Sequence, residues 1–379
     1  MPKNCLVVSA PARICLFGEH QDYLQLPVIA CAINLRMFVE GNRKNNSFFS
    51  VALPDIYRHI SLNPNENLKY ESKRDYLKSA INILKRKGLT FRNGYELTIS
   101  SKIPINSGLS SSSAMIVSWL YFLLESQMPD SCNEKHISYS LGDLAEFAYG
   151  AEVAEFKEAG GKMDHYILAL GNTLFIEPRE KVKVERLRDL EGFVIGDSLE
   201  EKKTIDVLKN LRKEVSEGLE TLERFGYDRH LSDSYEIDLS ILPCSSQNKI
   251  WATLINRDIT TRARDILRKQ NLDEEDRRYL GILMNEHQFH LRTLGVSTQK
   301  LDKLIEASLK AGALGAKLTG SGGGGCMFAY APGNERKVAE AIERAGGKTY
   351  FVKPDFGVWQ HVNGNYSDKF VRGKINGVD

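Results

Sequence analysis

Neither a paired-cysteine motif, a basic block nor a membrane-length apolar run occurs in the 379 residues of this chain. The six cysteines (Cys5, Cys15, Cys31, Cys132, Cys244 and Cys326) are scattered and show no CxxC spacing. They read as reduced thiols of a cytoplasmic protein, not as a disulfide framework or a zinc site. The eight histidines form no ligand cluster, and His287 and His290 on a helical pattern are expected to be structural or surface residues. With no basic block and no acidic tail, a formal charge of +2 gives no footprint of nucleic-acid binding. The most apolar stretch, Ala114 to Leu124, is shorter than the about 20 residues that span a bilayer, so no membrane partner is expected. The N-terminal MPKNCLVVSAPARICLFGEH lacks an apolar segment ending in a small-residue cleavage site, and no signal peptide is read there.

What is present is globular. Hydrophobic residues make up 42% and charged residues 26%, and the length suffices for two domains with their own cores. Short β-type runs (Cys5 to Val8, Val28 to Ile33, Phe48 to Val51, Tyr95 to Ile99) precede and follow a helical stretch from Tyr76 to Lys87. Ala114 to Glu125 is apolar almost all round, as in a helix buried between layers. Ser138 to Phe156 reads as helical and Asn172 to Ile176 as a strand. From about 200 to 240 the chain is charged and mainly helical. Leu280, Leu283, Met284, Leu291 and Leu294 recur at helical spacing, as do Leu301, Leu304, Ile305 and Leu309, with Gly312 a C-cap. Ala316 to Leu318 and Cys326 to Tyr330 read as strands around a glycine-rich turn. The mixture predicts an α+β fold in two closely packed domains, 1–185 and 186–379, around a cleft, with no internal repeat.

Three segments carry chemistry. Pro104-Ile-Asn-Ser-Gly-Leu-Ser-Ser-Ser-Ser-Ala114 runs straight into the buried helix. Free N–H groups and the positive dipole end at such a terminus bind phosphate, Gly108 allows close approach, and serine hydroxyls can ligate Mg²⁺. No Gly-Lys-Ser/Thr follows that glycine, so this is not a Walker A loop, and a serine-rich N-cap accounts for the run equally well. Lys317-Leu-Thr-Gly-Ser-Gly-Gly-Gly-Gly-Cys326 holds five glycines in six residues. Glycine loses the most backbone entropy on folding, so the run suits a place where backbone approaches another body; a flexible turn is the alternative. In Ala12-Arg-Ile-Cys-Leu-Phe-Gly-Glu-His-Gln-Asp-Tyr23, the polar set Arg13, Glu19, His20 and Asp22 suits several hydroxyls of a polyol. A solvated turn explains Glu19 and Asp22 taken singly.

In this order the three segments resemble the signature motifs of the GHMP kinases, which include galactokinase, homoserine kinase and mevalonate kinase. The resemblance covers most of the chain. It implies a ribosomal-protein-S5-like N-terminal domain, a ferredoxin-like C-terminal domain and an active site in the cleft between them. Arg13 to Tyr23 is similar to the galactokinase signature, in which the arginine is catalytic and Glu, His and Asp bind sugar hydroxyls; mevalonate kinases have lysine at the position of Arg13. The family's asparagine is replaced by Cys15, its Asn-Gly-Gly by Leu24-Gln25-Leu26, and the first glycine of its phosphate loop by Asn106. Leu283-Met-Asn-Glu-His, Leu294-Gly-Val-Ser297 and Gly315 to Cys326 look more like mevalonate kinase. Gly161-Lys-Met-Asp-His165 resembles the galactokinase segment that carries the proposed base, and Glu152, twelve residues earlier, matches the family's Mg²⁺-holding glutamate. For Asp164 a helix cap is the alternative.

The resemblance therefore implies an ATP-dependent kinase acting on a small sugar, at the anomeric hydroxyl of galactose or a related monosaccharide. ATP phosphates would lie on Ser107, Gly108, Leu109, Ser110, Ser111, Ser112 and Ser113, with Mg²⁺ between Ser112 and Glu152. Asp164 would be the base and Arg13 its catalytic partner; Glu19, His20 and Asp22 would hold the sugar. Tyr76 is a further candidate for the nucleotide-base pocket, with a core aromatic equally open. The alternatives are mevalonate or another non-sugar acceptor, and a catalytically silent sugar and ATP sensor. A monomer or small homo-oligomer is expected.

Overall fold

The computed structural model describes residues 5–104, 107–128, 138–201, 205–231, 234–362 and 365–366, with side chains left aside at 205–209, 362 and 365–366. Asn106 and Cys132 lie outside the described residues. No helix among the described residues is long and apolar enough to cross a membrane.

β1 (Cys5–Phe17) and β2 (Val28–Lys44) form one long antiparallel hairpin. The strand expected at Cys5 to Val8 continues through Phe17 and so carries Arg13. Alternation gave no sign of this because every residue from Leu6 to Phe17 is buried, on both faces of the sheet. β3 (Phe49–Leu53), β4 (Arg58–Leu62) and β5 (Gly94–Ser101) extend the sheet in the order β1-β2-β5-β3-β4, with β3 parallel to β5. β6 (Thr173–Glu177) pairs with the Val28–Cys31 end of β2, and β7 (Lys183–Leu187) with β6.

Four helices accompany this sheet: α1 (Tyr76–Arg86), α2 (Ser111–Ser126), α3 (Leu141–Tyr149) and α4 (Met163–Leu170). α2 packs on β1 and β2 and is buried on nearly every side, as its all-round apolarity predicts. Trp119 meets Phe49 edge-on and stacks on Phe122, and burial of such a side chain contributes about 1.5–3 kcal/mol. The helix expected from Ser138 starts only at Leu141. There the Ser140 hydroxyl accepts the Asp143 N–H and the Asp143 carboxylate accepts the Ser140 N–H, a reciprocal cap. At Gly150–Ala154 the helix widens into a π turn, which carries Glu152.

A second sheet contains β8 (Phe193–Asp197), β9 (Gly315–Leu318), β10 (Cys326–Tyr330) and β11 (Lys348–Val352), antiparallel in the order β11-β8-β10-β9. Its helices are α5 (Ile205–Arg224), α6 (Cys244–Leu267), α7 (Glu274–Thr293), α8 (Gln299–Lys310) and α9 (Glu335–Arg344). The boundary expected at 185 falls inside β7 of the first sheet, and the second sheet begins eight residues later. The chain also returns: β12 (Trp359–Val362) and β13 (Asn365–Tyr366) rejoin the first sheet beside β1. Buried Arg36 ties this return down. It donates to Ser9 Oγ (2.7 Å), Asp355 Oδ2 (2.8 Å) and the Gly357 carbonyl (2.7 Å), and lies over the Trp359 ring at 4.9 Å.

Candidate active site

β1 delivers Arg13 beneath the N-terminus of α2. Its guanidinium donates from Nε to Asp164 Oδ1 at 2.7 Å and from Nη2 to Oδ2 at 3.0 Å, a two-point pair that fixes both planes. Nη1 donates to the Gly108 carbonyl at 2.5 Å, and the Arg13 N–H donates to the Leu109 carbonyl at 3.3 Å. One residue thus joins the Ala12–Tyr23 segment, the serine loop and α4.

The serine residues divide by role. Ser107 is buried, its hydroxyl donating to the Pro104 carbonyl and its own carbonyl accepting the Cys326 N–H at 2.8 Å. Leu109 is fully buried. Ser110 has left-handed backbone (φ 64), and its hydroxyl donates to Asp164 Oδ2 at 2.5 Å instead of capping the helix. That leaves the N–H groups opening α2 without a side-chain cap, the condition for an anion site. At this end Ser112 is exposed, Ser111 half-buried and Ser113 buried. The glycine-rich loop lies against the same loop. A Cβ on Gly320 would stand 2.5 Å from the Gly108 carbonyl, so no other residue fits there.

The turn of residues 19–23 divides as well. Glu19 does not face a cleft: Lys317 Nζ donates to its Oε2 at 2.5 Å, and both side chains are sealed, at 1% and 0% exposure. Lys317 also donates to the carbonyls of Cys15 and Leu318. His20 is left-handed (φ 64), with Nε2 3.1 Å from the Ser321 carbonyl and Nδ1 3.2 Å from the Tyr23 hydroxyl. Asp22 accepts the Tyr23 N–H at 2.9 Å and the Met163 N–H at 3.4 Å, at the start of α4. A Cβ on Gly161 would come within 2.0 Å of Asp22 Oδ2, so glycine there makes the space. All three chemistry-bearing segments and Asp164 therefore meet in one place, with Glu19 on its inner wall.

Comparisons with known proteins give the family. The model of the GHMP kinases N terminal domain matches residues 75–172, that of the GHMP kinases C terminal region matches 269–349, and the galactokinase galactose-binding signature matches 2–43. A mevalonate kinase of Pyrococcus furiosus is 31% identical over 355 residues, 90% of this chain and 94% of its own. The chain belongs to the GHMP kinase family. A galactokinase of Haemophilus influenzae is 27% identical over 376 residues, 92% of each chain. In fold, the Lactococcus lactis galactokinase complexed with galactose superposes with a TM-score of 0.78 at 21% identity, over 94% of this chain and 95% of that one. The protein is thus an ATP-dependent kinase of α+β architecture.

The charges of this GHMP kinase are set by burial and partners. Burial alone would raise the Asp164 pKa, but the Arg13 charge and the hydrogen bonds from Arg13 and Ser110 outweigh it and hold the carboxyl below its ordinary value. Asp22 goes the other way. Burial and the neighbouring Asp164 charge push it up to about 6. Burial also raises Glu19, against the pull of Lys317. Among the described residues its Oε1 accepts no hydrogen bond, and fully buried His287, which stacks on Phe17, makes none through either ring nitrogen, its Nδ1 lying 3.9 Å from Glu19 Oε2.

Among the described residues no group of three or more His, Cys, Asp or Glu side chains gathers as a metal site. Mg²⁺ does not require one, because it keeps waters and takes one or two carboxylates plus phosphate oxygens. Buried Glu152, on a π turn packed against α2, fits that sparse set, and its Oε2 lies 2.9 Å from His165 Nε2, which orients it. Tyr76 is buried against Phe156 at 5.7 Å and its hydroxyl donates to Glu158, so it packs in the core. Lys317 and His165 are the partners that sequence reading missed. A lysine inside the apolar run Gly-Ala-Lys-Leu was the available signal for the first, since a buried ammonium needs an anion.

Proposed function

We propose that this GHMP kinase transfers the γ-phosphoryl group of ATP to a small sugar, at the anomeric hydroxyl of galactose or a related monosaccharide. The observation that carries the reading is the Arg13–Asp164 pair, held against the Gly108 carbonyl with Asp22 of the galactose-binding signature next to it. ATP phosphates lie on the uncapped start of α2, with Gly108, Ser111 and Ser112 giving backbone approach and hydroxyl donors, while Ser107, Leu109 and Ser113 hold the loop's shape. Glu152 and Ser112 hold Mg²⁺, which neutralises phosphate charge when bound.

Asp164 accepts a hydrogen bond from the attacking hydroxyl and takes its proton as the bond to phosphorus forms. A carboxylate held below its ordinary pKa is a weak base, so its larger effect is to aim the hydroxyl. That suits phosphoryl transfer through a loose transition state, where positioning and charge neutralisation dominate. Arg13 keeps Asp164 ionised and sets positive charge beside the transferred group. Asp22 and His20 hold sugar hydroxyls. Glu19, locked to Lys317, shapes the turn that presents them. The two lobes flanking the site, expected as 1–185 and 186–379, are assigned with the boundary moved past β7 and with the C-terminal return on the first sheet.

The second reading, a mevalonate acceptor, is favoured by the 31% identical relative. A coupled assay of ADP release over hexoses, pentoses, uronic acids and mevalonate separates the two. Turnover of mevalonate alone would replace the sugar reading.

A further inference from the structure

One cation beside the substrate turn has, among the described residues, no carboxylate to answer it. Arg212, half-buried on α5, lays its guanidinium over the Tyr23 ring, 5.1 Å from the centroid. Its neighbours are matched: Lys249 pairs with Glu214, Arg229 with Glu223, and Arg257 with Asp258. Among the described residues Arg212 forms no ion pair. Its position relative to the chemistry is set by Tyr23, which directly follows Asp22. The Tyr23 hydroxyl lies 3.2 Å from His20 Nδ1. Beyond the effect of burial, Asp22 pushes the Tyr23 pKa up and Arg212 pulls it down, so both charges act on the same phenol. Asp164, Asp22, Tyr23 and Arg212 therefore form a succession from the proposed base to a guanidinium that forms no ion pair among the described residues.

A guanidinium lying on an aromatic face keeps its in-plane N–H donors available at its edge. Those donors form a fork that fits a carboxylate through two parallel hydrogen bonds. Stacking also restrains the side chain in advance, which reduces the entropy lost when an anion binds. A neutral hexose offers this fork no charge.

We infer that Arg212 is a specificity-determining residue that receives a carboxylate of the acceptor, so that the site takes a hydroxylated acid, a sugar acid in the first place, over a neutral hexose. The inference rests on the reading above in one respect: the acceptor lies between Asp164 and the turn of residues 19–23. It accounts for a chain that carries a sugar-binding signature and yet aligns well with kinases of a hydroxy acid. Sugar acids and short hydroxy acids share the required chemistry, and the test separates them.

Steady-state ADP release would be measured with galactose and galacturonate, glucose and glucuronate, and mevalonate, for the wild type, Arg212→Gln and Arg212→Lys. Wild type is expected to prefer the acid of each sugar pair by about 10-fold or more in kcat/KM. Arg212→Gln is expected to raise KM for acids about 100-fold, the scale of a charged two-point hydrogen bond, with kcat little changed. Neutral sugars should move less than about 3-fold, and Arg212→Lys should recover part of the loss because it restores charge without the fork. Mevalonate as sole acceptor, with the same Arg212 dependence, would keep this inference and remove the sugar. Preference for neutral sugars, or an equal rise in KM for neutral and acidic acceptors, would overturn the inference and leave a sugar kinase. A loss shared with ATP KM and accompanied by a lower Tm would assign Arg212 a structural role and overturn it too. No turnover of any acceptor by the wild type would remove both readings.

Discussion

Two ion pairs start from the same short segment of chain and have opposite fates. Arg13–Asp164 stands at the edge of the site, with the Asp164 side chain 25% exposed, while Glu19–Lys317, six residues along, is sealed at 1% and 0%. In the first, spare hydrogen-bonding capacity meets the serine loop through Gly108 and Ser110. In the second, the spare capacity of the ammonium goes to backbone carbonyls of β1 and β9. An open pair can be rearranged by a ligand. A sealed pair can only hold, because removing either partner strands a charge in the interior. Residue type alone did not separate them, since Glu19 and Asp164 are both motif carboxylates beside a basic partner.

The largest effect expected from breaking the comparison is kinetic. Asp164→Asn should lower kcat by about 10³-fold or more, the range of general-base and charge-stabilising groups, with ATP affinity retained in equilibrium binding. Unchanged turnover would refute its place in the site. Lys317→Met should act on stability instead, costing about 3–5 kcal/mol by leaving Glu19 uncompensated, read as a fall in Tm. The double variant Lys317→Met with Glu19→Gln should recover much of that loss. A single variant that lowers kcat with Tm unchanged would show that the sealed pair is not merely a clamp.

Asp22 sharpens the contrast with a smaller effect. Its folded pKa of about 6 lies above the ordinary 3.8, so the native state binds the extra proton between those values. The stability it contributes is fully present below pH 3.8 and is lost as pH rises through about 6. Asp22→Asn should therefore gain Tm relative to wild type as pH is raised from 4 to 8, by a few degrees, while acceptor KM rises about 10-fold. For the wild type, acceptor KM should rise as pH falls below about 6, because protonated Asp22 can accept fewer hydroxyl hydrogen bonds. A flat acceptor KM from pH 5 to 8 would exclude Asp22 from the acceptor site.

Much of this was legible in the sequence, and for identifiable reasons. The serine loop, the glycine run and the Arg13 to Tyr23 turn are local patterns, and the fold brings all three together beside Asp164. The apolar helix α2 was readable because it is buried on nearly every side. Pairings between distant segments were not readable. Lys317 meets Glu19 across 298 residues, and the return of β12 to β1 depends on the Arg36 cluster joining residues 319 to 321 apart. The boundary near 185 failed to anticipate β7 because a five-residue strand of mixed polarity, Lys183–Leu187, shows no period of its own. The π turn at Glu152 was hidden for another reason: its residues are ordinary helix formers, and the extra residue in the turn shows only in backbone bonding.

The most direct test is what the site phosphorylates. Acceptor-dependent ADP release by the wild type, with the product located by phosphorus NMR, decides it. Turnover is expected with a monosaccharide or its acid, with the phosphate on the anomeric oxygen, and is abolished in Asp164→Asn. Turnover confined to mevalonate, or turnover that persists in Asp164→Asn, would contradict it.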